Sequence, residues 1–361
     1  MKRQCKGCGA TIQSSRPDDY GYVPEHLIGE DVICQRCFRI SHYGVDEIGP
    51  VVADDSIKAI EAGLKSADGV LLVVDLIDFE ASLPHELLHL IKGKPCLVAA
   101  NKVDLLPKQT PLAEVHQWVS ERLKYFDFSA EVVLASAVTG EGFPKLADWV
   151  QKLEGDLLIA GVTNVGKSRL IARLLQMRVG GGRRGTRKPT VSPYPGTTVE
   201  CYSWKLATGF MVADSPGYVP QGRLSDLVCP KCARDFIPDR RLSSSLYPIQ
   251  QGDILHVPGF AGVECIQADG EGLLIGFSGS GIGWKKSSVK HLDKWLWSYE
   301  HHCSMETWEH KRITLQPNFD LVIHGLGWVS ARKVSYDLCV HLPAGVGMSI
   351  RPNLIGPKNF T

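Results

Sequence analysis

Gly161-Val-Thr-Asn-Val-Gly166-Lys167-Ser168 sets two glycines, a lysine and a hydroxyl within eight residues. The glycines let the backbone curl so that successive N–H groups, from Asn164 and Val165 through to Arg169, converge on one anion. Lys167 brings a positive charge toward terminal phosphates, and Ser168 offers the hard oxygen that Mg²⁺ prefers. A bare glycine turn before a helix is the plainer alternative. The flanks argue against it, since Asp156 to Ala160 is an apolar run and Lys167 to Leu175 has a helical stripe. This is chemistry for cradling a polyphosphate.

A second group suits a base. Asn101-Lys102-Val103-Asp104 follows another apolar run. Guanine presents two adjacent donors, N1–H and the exocyclic amine, and one carboxylate accepts both. Asp104 is the candidate for that contact, Asn101 for tying the loops together, and Lys102 for lying along the base or ribose. Such paired bonds discriminate by on the order of 10⁴-fold, because the wrong base leaves groups unpaired. Four residues alone are a weak signal. Ser136-Ala137 after the next apolar run strengthens it, with the Ala137 N–H offered to guanine O6. GTP and GDP are the expected ligands.

Asp214-Ser-Pro-Gly217 completes the chemistry. Asp214 would hold Mg²⁺ through water and the Gly217 N–H would sense the terminal phosphate. Upstream, Pro195-Gly-Thr-Thr198 reads as a first switch, with Thr198 favoured over Thr197 as a Mg²⁺ ligand and a strand-entry threonine as the alternative. Tyr218 stands where a glutamine often orients the attacking water, which implies slow turnover of roughly 10⁻⁴ to 10⁻² s⁻¹. Asn164 either helps hold a K⁺ ion beside the phosphates or only braces the loop. The candidate catalytic set is Lys167, Asn164, Thr198, Asp214 and Gly217.

The elements that must carry these residues alternate between short apolar runs and amphipathic stripes. Gly69 to Val74, Pro95 to Ala100, Glu131 to Leu134 and Asp156 to Ala160 read as strands buried on both faces. Ile57, Ile60 and Leu64 space one helix; Leu112, Val115, Val119 and Leu123 space another, opened by Thr110 as N-cap and Pro111 at its first position. The pattern predicts an α/β domain with a mostly parallel sheet, binding ligand at the carboxyl ends of its strands. The base loop nevertheless precedes the phosphate loop, whereas an ordinary GTP-binding domain has the reverse order. Circular permutation accounts for this, because a site needs loops that meet and not a chain order.

Hydrophobic content of 44% and charged content of 22% are those of a globular chain. A net charge of +1 excludes a global field that recruits nucleic acid or membrane. No apolar run is long enough to span a bilayer and no secretory leader is evident, so a cytoplasmic, soluble protein is expected. In that compartment eleven cysteines are metal ligands or core residues rather than disulfides. Cys5, Cys8, Cys34 and Cys37 form two CxxC pairs suited to one structural Zn²⁺, with disulfide pairing as the alternative. Cys229 and Cys232 make a third pair without a partner of regular spacing; His301, His302, Cys303 and His310 are irregularly placed, so a structural role is expected. Three domains follow: a zinc finger over 1–48, the permuted domain over 49–222, and a β-rich α+β domain over 223–361.

The motif order, Cys37-Phe-Arg-Ile-Ser-His-Tyr43, Asp75-Leu-Ile-Asp-Phe79 and Thr190-Val-Ser-Pro-Tyr-Pro-Gly-Thr-Thr198 resemble those of the YqeH-type circularly permuted GTPases. The resemblance is strong to residue 222, and thins to Leu321-Val-Ile-His-Gly-Leu-Gly-Trp328 and Ala344-Gly-Val-Gly347. It implies a GTPase that assists assembly of the small ribosomal subunit, contacts rRNA and is stimulated by K⁺. The residues themselves say less about RNA. Arg178, Arg183, Arg184, Arg187 and Lys188 form a basic stretch that either meets RNA phosphates or is a solvated loop. Trp284 and Trp295, set among lysines, are expected in the core. A rival of another class is a nucleotide-sensing scaffold that binds GTP and GDP, hardly hydrolyses, and docks protein partners.

Overall fold

The computed structural model describes residues 11–15, 22–25, 28, 53–176, 190–191, 202–205, 210–279, 281–296, 303 and 305–356. The first part runs α1 (Ala53–Ser66), β1 (Gly69–Asp75), α2 (His85–Ile91), β2 (Cys96–Asn101), α3 (Leu112–Tyr125), β3 (Glu131–Leu134), α4 (Phe143–Lys152), β4 (Leu157–Ala160), α5 (Lys167–Gln176), β5 (Thr190–Val191), β6 (Tyr202–Lys205) and β7 (Met211–Asp214). Two short helices follow, α6 (Leu224–Leu227) and α7 (Pro230–Phe236). The remainder is β8 (Ser243–Ile249), β9 (Asp253–Val257), β10 (Ala261–Ala268), β11 (Gly272–Ser278), β12 (Lys285–Ser288), α8 (Leu292–Leu296), β13 (Trp308–Leu315), β14 (Phe319–Ile323), β15 (Gly327–Arg332), β16 (Tyr336–Pro343) and β17 (Met348–Pro352).

The chain divides into two compact units. One comprises Met1–Val74, His85–Ala99 and Gly140–Val219; the other Asp75–Pro84, Ala100–Thr139 and Pro220–Thr361. In the first, β2, β1, β4, β7, β6 and β5 lie side by side in that order. β1 and β7 run parallel to β4, while β6 is antiparallel to both β7 and β5. Every residue of β1 and β4 is buried. That is why these strands read as unbroken apolar runs rather than alternating ones.

In the second unit the Ala135 N–H donates to the Ala100 carbonyl at 2.8 Å, so the end of β3 is bonded to the end of β2. Helix α3 starts one residue later than the sequence suggests. Pro111 is the N-cap, at an extended ψ of 115°, and the buried Thr110 hydroxyl makes no hydrogen bond. The C-terminal part holds two five-stranded antiparallel sheets, β12-β9-β10-β16-β13 and β17-β14-β15-β11-β8. Leu255, Phe260, Val263, Leu321, Val329 and Tyr336 belong to the core they bury. Phe277 stacks on Trp328 at 4.9 Å between ring centroids. Trp284 also lies in this core, 6% exposed, as its expected packing role requires.

Buried charges join the Glu80 segment to these sheets. Arg351 Nη1 lies 2.5 Å from Glu80 and its Nε lies 3.4 Å from Asp320. Arg122 approaches Glu80 at 3.3 Å. The Trp118 indole N–H reaches the Pro352 carbonyl at 2.9 Å.

The expected N-terminal four-cysteine zinc finger needs correction. Among the described residues, the cysteines that the fold gathers are three rather than four, Cys229, Cys232 and Cys303, and they lie in the C-terminal part. Spacing along the chain could not reveal this grouping, because Cys303 is brought back by the fold and not by a motif. Cys5, Cys8, Cys34 and Cys37 lie outside the described residues.

Candidate functional site

The phosphate loop leaves β4 and enters α5 in the first unit. Within six residues the backbone takes a positive φ three times, at Gly161 (152°), Asn164 (64°) and Gly166 (90°). A side chain at Gly161 would run into the Val73 carbonyl oxygen, so only glycine fits there. Asparagine is among the few residues that tolerate the left-handed region, which gives Asn164 a backbone reason to be present. Lys167 is 8% exposed, and its Nζ donates to the carbonyls of Gly161 at 2.9 Å and Val162 at 3.2 Å. Val165 is buried, while Asn164, Ser168 and Arg169 are exposed.

Asp214 ends β7 and lies opposite Ile159 in the parallel register, and the Ser215 N–H donates to the Ile159 carbonyl at 3.0 Å. Pairing resumes beyond the strand. Tyr218 N–H donates to Gly161 O at 3.2 Å, and Thr163 N–H to Tyr218 O at 2.8 Å. Tyr218 is buried, so the residue in the usual glutamine position is held by the phosphate loop's own backbone. A Cβ at Gly217 would lie 2.9 Å from Thr163 Cγ2 and 3.2 Å from Lys167 Nζ, which explains a glycine at this close approach. Thr198 lies outside the described residues, and so does the basic stretch from Arg178 to Lys188.

The base loop belongs to the second unit. Asn101 is 2% exposed, and its side-chain oxygen accepts the Ala137 N–H at 3.0 Å. This ties the two loops together. It also uses the amide that the sequence reading offers to guanine O6, so the two partners compete for one N–H. Ser136 is fully buried, and its hydroxyl accepts the N–H groups of Val138 at 3.2 Å and Thr139 at 2.9 Å.

Lys102 sits at φ 71°, and its Nζ meets Asp75 Oδ2 at 2.5 Å. Asp75 Oδ1 accepts the Ile77 N–H at 2.9 Å, and the Asp75 N–H donates to Ser82 Oγ at 3.1 Å. Asp75 therefore positions the lysine, a role the motif reading did not give it. An acid ending an apolar strand was its available signal. Asp104 is partly exposed, and its carbonyl accepts from Arg241 Nε at 3.3 Å. One residue on, Leu105 O accepts the Leu242 N–H at 2.8 Å. The C-terminal part thus braces the base loop from behind.

Residues 54–156 match the family described as "Elongation factor Tu GTP binding domain", and residues 156–236 that described as "50S ribosome-binding GTPase". The matches meet at the start of the strand that feeds the phosphate loop. The base loop falls in the first match, and the phosphate loop and Asp214-Ser-Pro-Gly217 fall in the second. The chain is a circularly permuted GTPase that binds GTP and GDP.

It is related to the protein of Bacillus subtilis described as the uncharacterised protein YqeH, at 28% identity over 371 residues, covering 97% of this chain and 99% of that one. Mouse nitric oxide-associated protein 1 is 29% identical over 253 residues, 56% of this chain and 36% of the relative. This chain therefore spans only about a third of that protein's length. The structure of YjeQ from Thermotoga maritima is 24% identical, covering 42% of this chain and 48% of its own, at a TM-score of 0.29. That likeness is too slight to carry an argument. No described helix is long and apolar enough to cross a membrane.

Proposed function

We propose that this GTPase assists assembly of the small ribosomal subunit in the cytoplasm, through contacts with rRNA and ribosomal protein surfaces. The resemblance to YqeH along the full chain supports the ribosomal reading, and one matched family is described as binding a ribosomal subunit, there the 50S and not the small one. The observation that carries a switch is the covalent path beyond Gly217. Four residues after Tyr218 the chain reaches Gly222, whose carbonyl accepts the Gly347 N–H at 2.7 Å, and the Leu224 N–H donates to the His324 carbonyl at 2.8 Å. In this reading a change at Gly217 reaches, along the chain, a segment hydrogen-bonded to the residues that follow β14 and precede β17.

Asp104 takes the base, Lys167 the terminal phosphates, and Ser168 with Asp214 a Mg²⁺ ion, with Thr198 as its further ligand. A hydroxyl and a carboxylate at the ends of neighbouring elements are the hard oxygen donors this ion favours. When bound, Mg²⁺ neutralises charge on the β- and γ-phosphate oxygens. Asn164 in this reading also holds K⁺, and equal GTPase rates in K⁺ and Na⁺ buffers would remove that part. Tyr218 favours a second reading, a scaffold that binds both nucleotides with negligible turnover, because a buried phenol held by the phosphate loop does not position water as glutamine does.

One experiment separates the two readings. Cell extract is sedimented with GDP or with a non-hydrolysable GTP analogue, and turnover is measured with and without small subunits. Co-sedimentation of the GTP form and subunit-stimulated hydrolysis are expected. Absence of any nucleotide-dependent association would refute the ribosomal reading.

A further inference from the structure

Cys229 and Cys232 lie at the N-cap and third position of α7, and Cys303 comes from the segment between α8 and β13. The three Sγ atoms lie within 4.8 Å of one another. Cys232 is 1% exposed, whereas Cys229 and Cys303 are half-buried against the C-terminal core. The Cys229 N–H donates to Cys303 Sγ at 3.1 Å. An N–H aimed at sulfur stabilises a thiolate more than a thiol.

From this grouping we infer that Cys229, Cys232 and Cys303 bind one Zn²⁺ ion as three thiolates. Zinc–sulfur bonds of about 2.3 Å place tetrahedral sulfurs about 3.8 Å apart. The observed spread reaches that value with side-chain adjustment of about 1 Å. Two residues between Cys229 and Cys232 give the bite with which a CxxC pair grips a single ion, and Pro230 at the first helical position fixes the turn between them. Soft thiolates with no carboxylate in the cluster select zinc over Mg²⁺ or Ca²⁺.

The ion would staple α7 to the strand-bearing region more than seventy residues away. That fixes the segment which continues from Gly217 and Gly222, so the proposal concerns how the C-terminal part receives a nucleotide signal. It does not depend on the ribosomal reading, since metal content is measured without ribosomes.

The test is zinc content of the purified full chain by elemental analysis, for wild type and for Cys229→Ser, Cys303→Ser and the control Cys96→Ser. GTP binding serves as the check on folding. Loss of about one zinc per chain in both cluster variants, with none lost in the control, is expected. The difference isolates this site whatever the rest of the chain binds. Exchange with Co²⁺ gives a second readout, a thiolate-to-metal charge-transfer band in wild type that weakens in Cys303→Ser. Unchanged zinc content in folded cluster variants overturns the proposal. So does a Cys229–Cys232 disulfide found by alkylation and mass spectrometry without metal, or copper in place of zinc.

Discussion

Replacing Arg351 with methionine tests whether buried charges hold the base loop's support in place. The guanidinium is fully buried, between Glu80 at 2.5 Å and Asp320 at 3.4 Å, and lies over the rings of Trp118 at 5.0 Å and Trp328 at 5.1 Å. Methionine keeps much of the packing but removes the cation shared by two buried carboxylates. Breaking one side of such a group costs roughly 3–5 kcal/mol, since the charges left behind are desolvated. Two features place the cost near the lower end. Glu80 keeps Arg122 at 3.3 Å, and Asp320 keeps the Ser330 hydroxyl and the Leu354 N–H. Burial already pushes the Asp320 carboxyl above the usual range, so it can take up a proton instead of remaining charged. A loss of about 3 kcal/mol in a unit of this size lowers Tm by roughly 6–12 °C.

Thermal unfolding followed by circular dichroism measures this directly. A double variant, Asp320→Asn with Arg351→Met, removes the Arg351–Asp320 pair while Glu80 keeps Arg122, and should recover much of the loss. If Arg351→Met shifts Tm by less than about 2 °C, or the double variant is as unstable as the single, desolvated charge is not what the arginine balances. GTP affinity should fall in parallel, because Glu80 and Asp75 lie on one short segment and Asp75 holds Lys102.

Gly161→Ala forces a Cβ against the Val73 carbonyl at a φ of 152°, and should weaken GTP binding roughly 10- to 100-fold, by strain of about 1–3 kcal/mol; calorimetry giving unchanged affinity refutes the steric argument. Asp104→Asn turns an acceptor of two donors into an amide, so GTP affinity should drop about 100-fold. Xanthosine triphosphate, whose ring carries a carbonyl in place of the amine, should bind the variant better than GTP, and retention of full GTP selectivity would exclude Asp104 from base recognition. His324 is held below its ordinary value chiefly by burial, against the opposing pull of Asp78 and Glu80, and it shares a 2.7 Å hydrogen bond with Ser349. A depressed folded value means that this contribution is present above the unfolded value of about 6.5 and is lost as pH falls below it. Wild type should therefore lose Tm more steeply on acidification than His324→Gln, and superimposable profiles would show that His324 plays no such part.

The sheet and the phosphate loop were legible because their physics is local. β1 and β4 are covered on both faces, so they read as apolar runs, and Gly161 and Gly166 stand where the backbone has a positive φ. Asp104 and Ala137 could be read together because each follows an apolar strand. What could not be read depends on contacts made late in the chain's path. Glu80 and Arg351 meet across 271 positions, with no periodicity to announce them. Cys303 joins Cys229 across 74 positions, against a spacing argument that favoured an inert pair. A Thr-Pro pair suggests a cap at Thr110, whereas the extended backbone at Pro111 shifts the helix start by one residue.

The Leu105–Leu242 and Arg241–Asp104 bonds have an evolutionary consequence. A recognition loop propped by residues from far downstream cannot be traded as a self-sufficient cassette, and a deletion beyond Gly222 strips its buttress. Substitutions at positions 80 and 351 should be inherited in compensating pairs, so the permuted GTPase core and its β-rich appendage are expected to diverge as one heritable block.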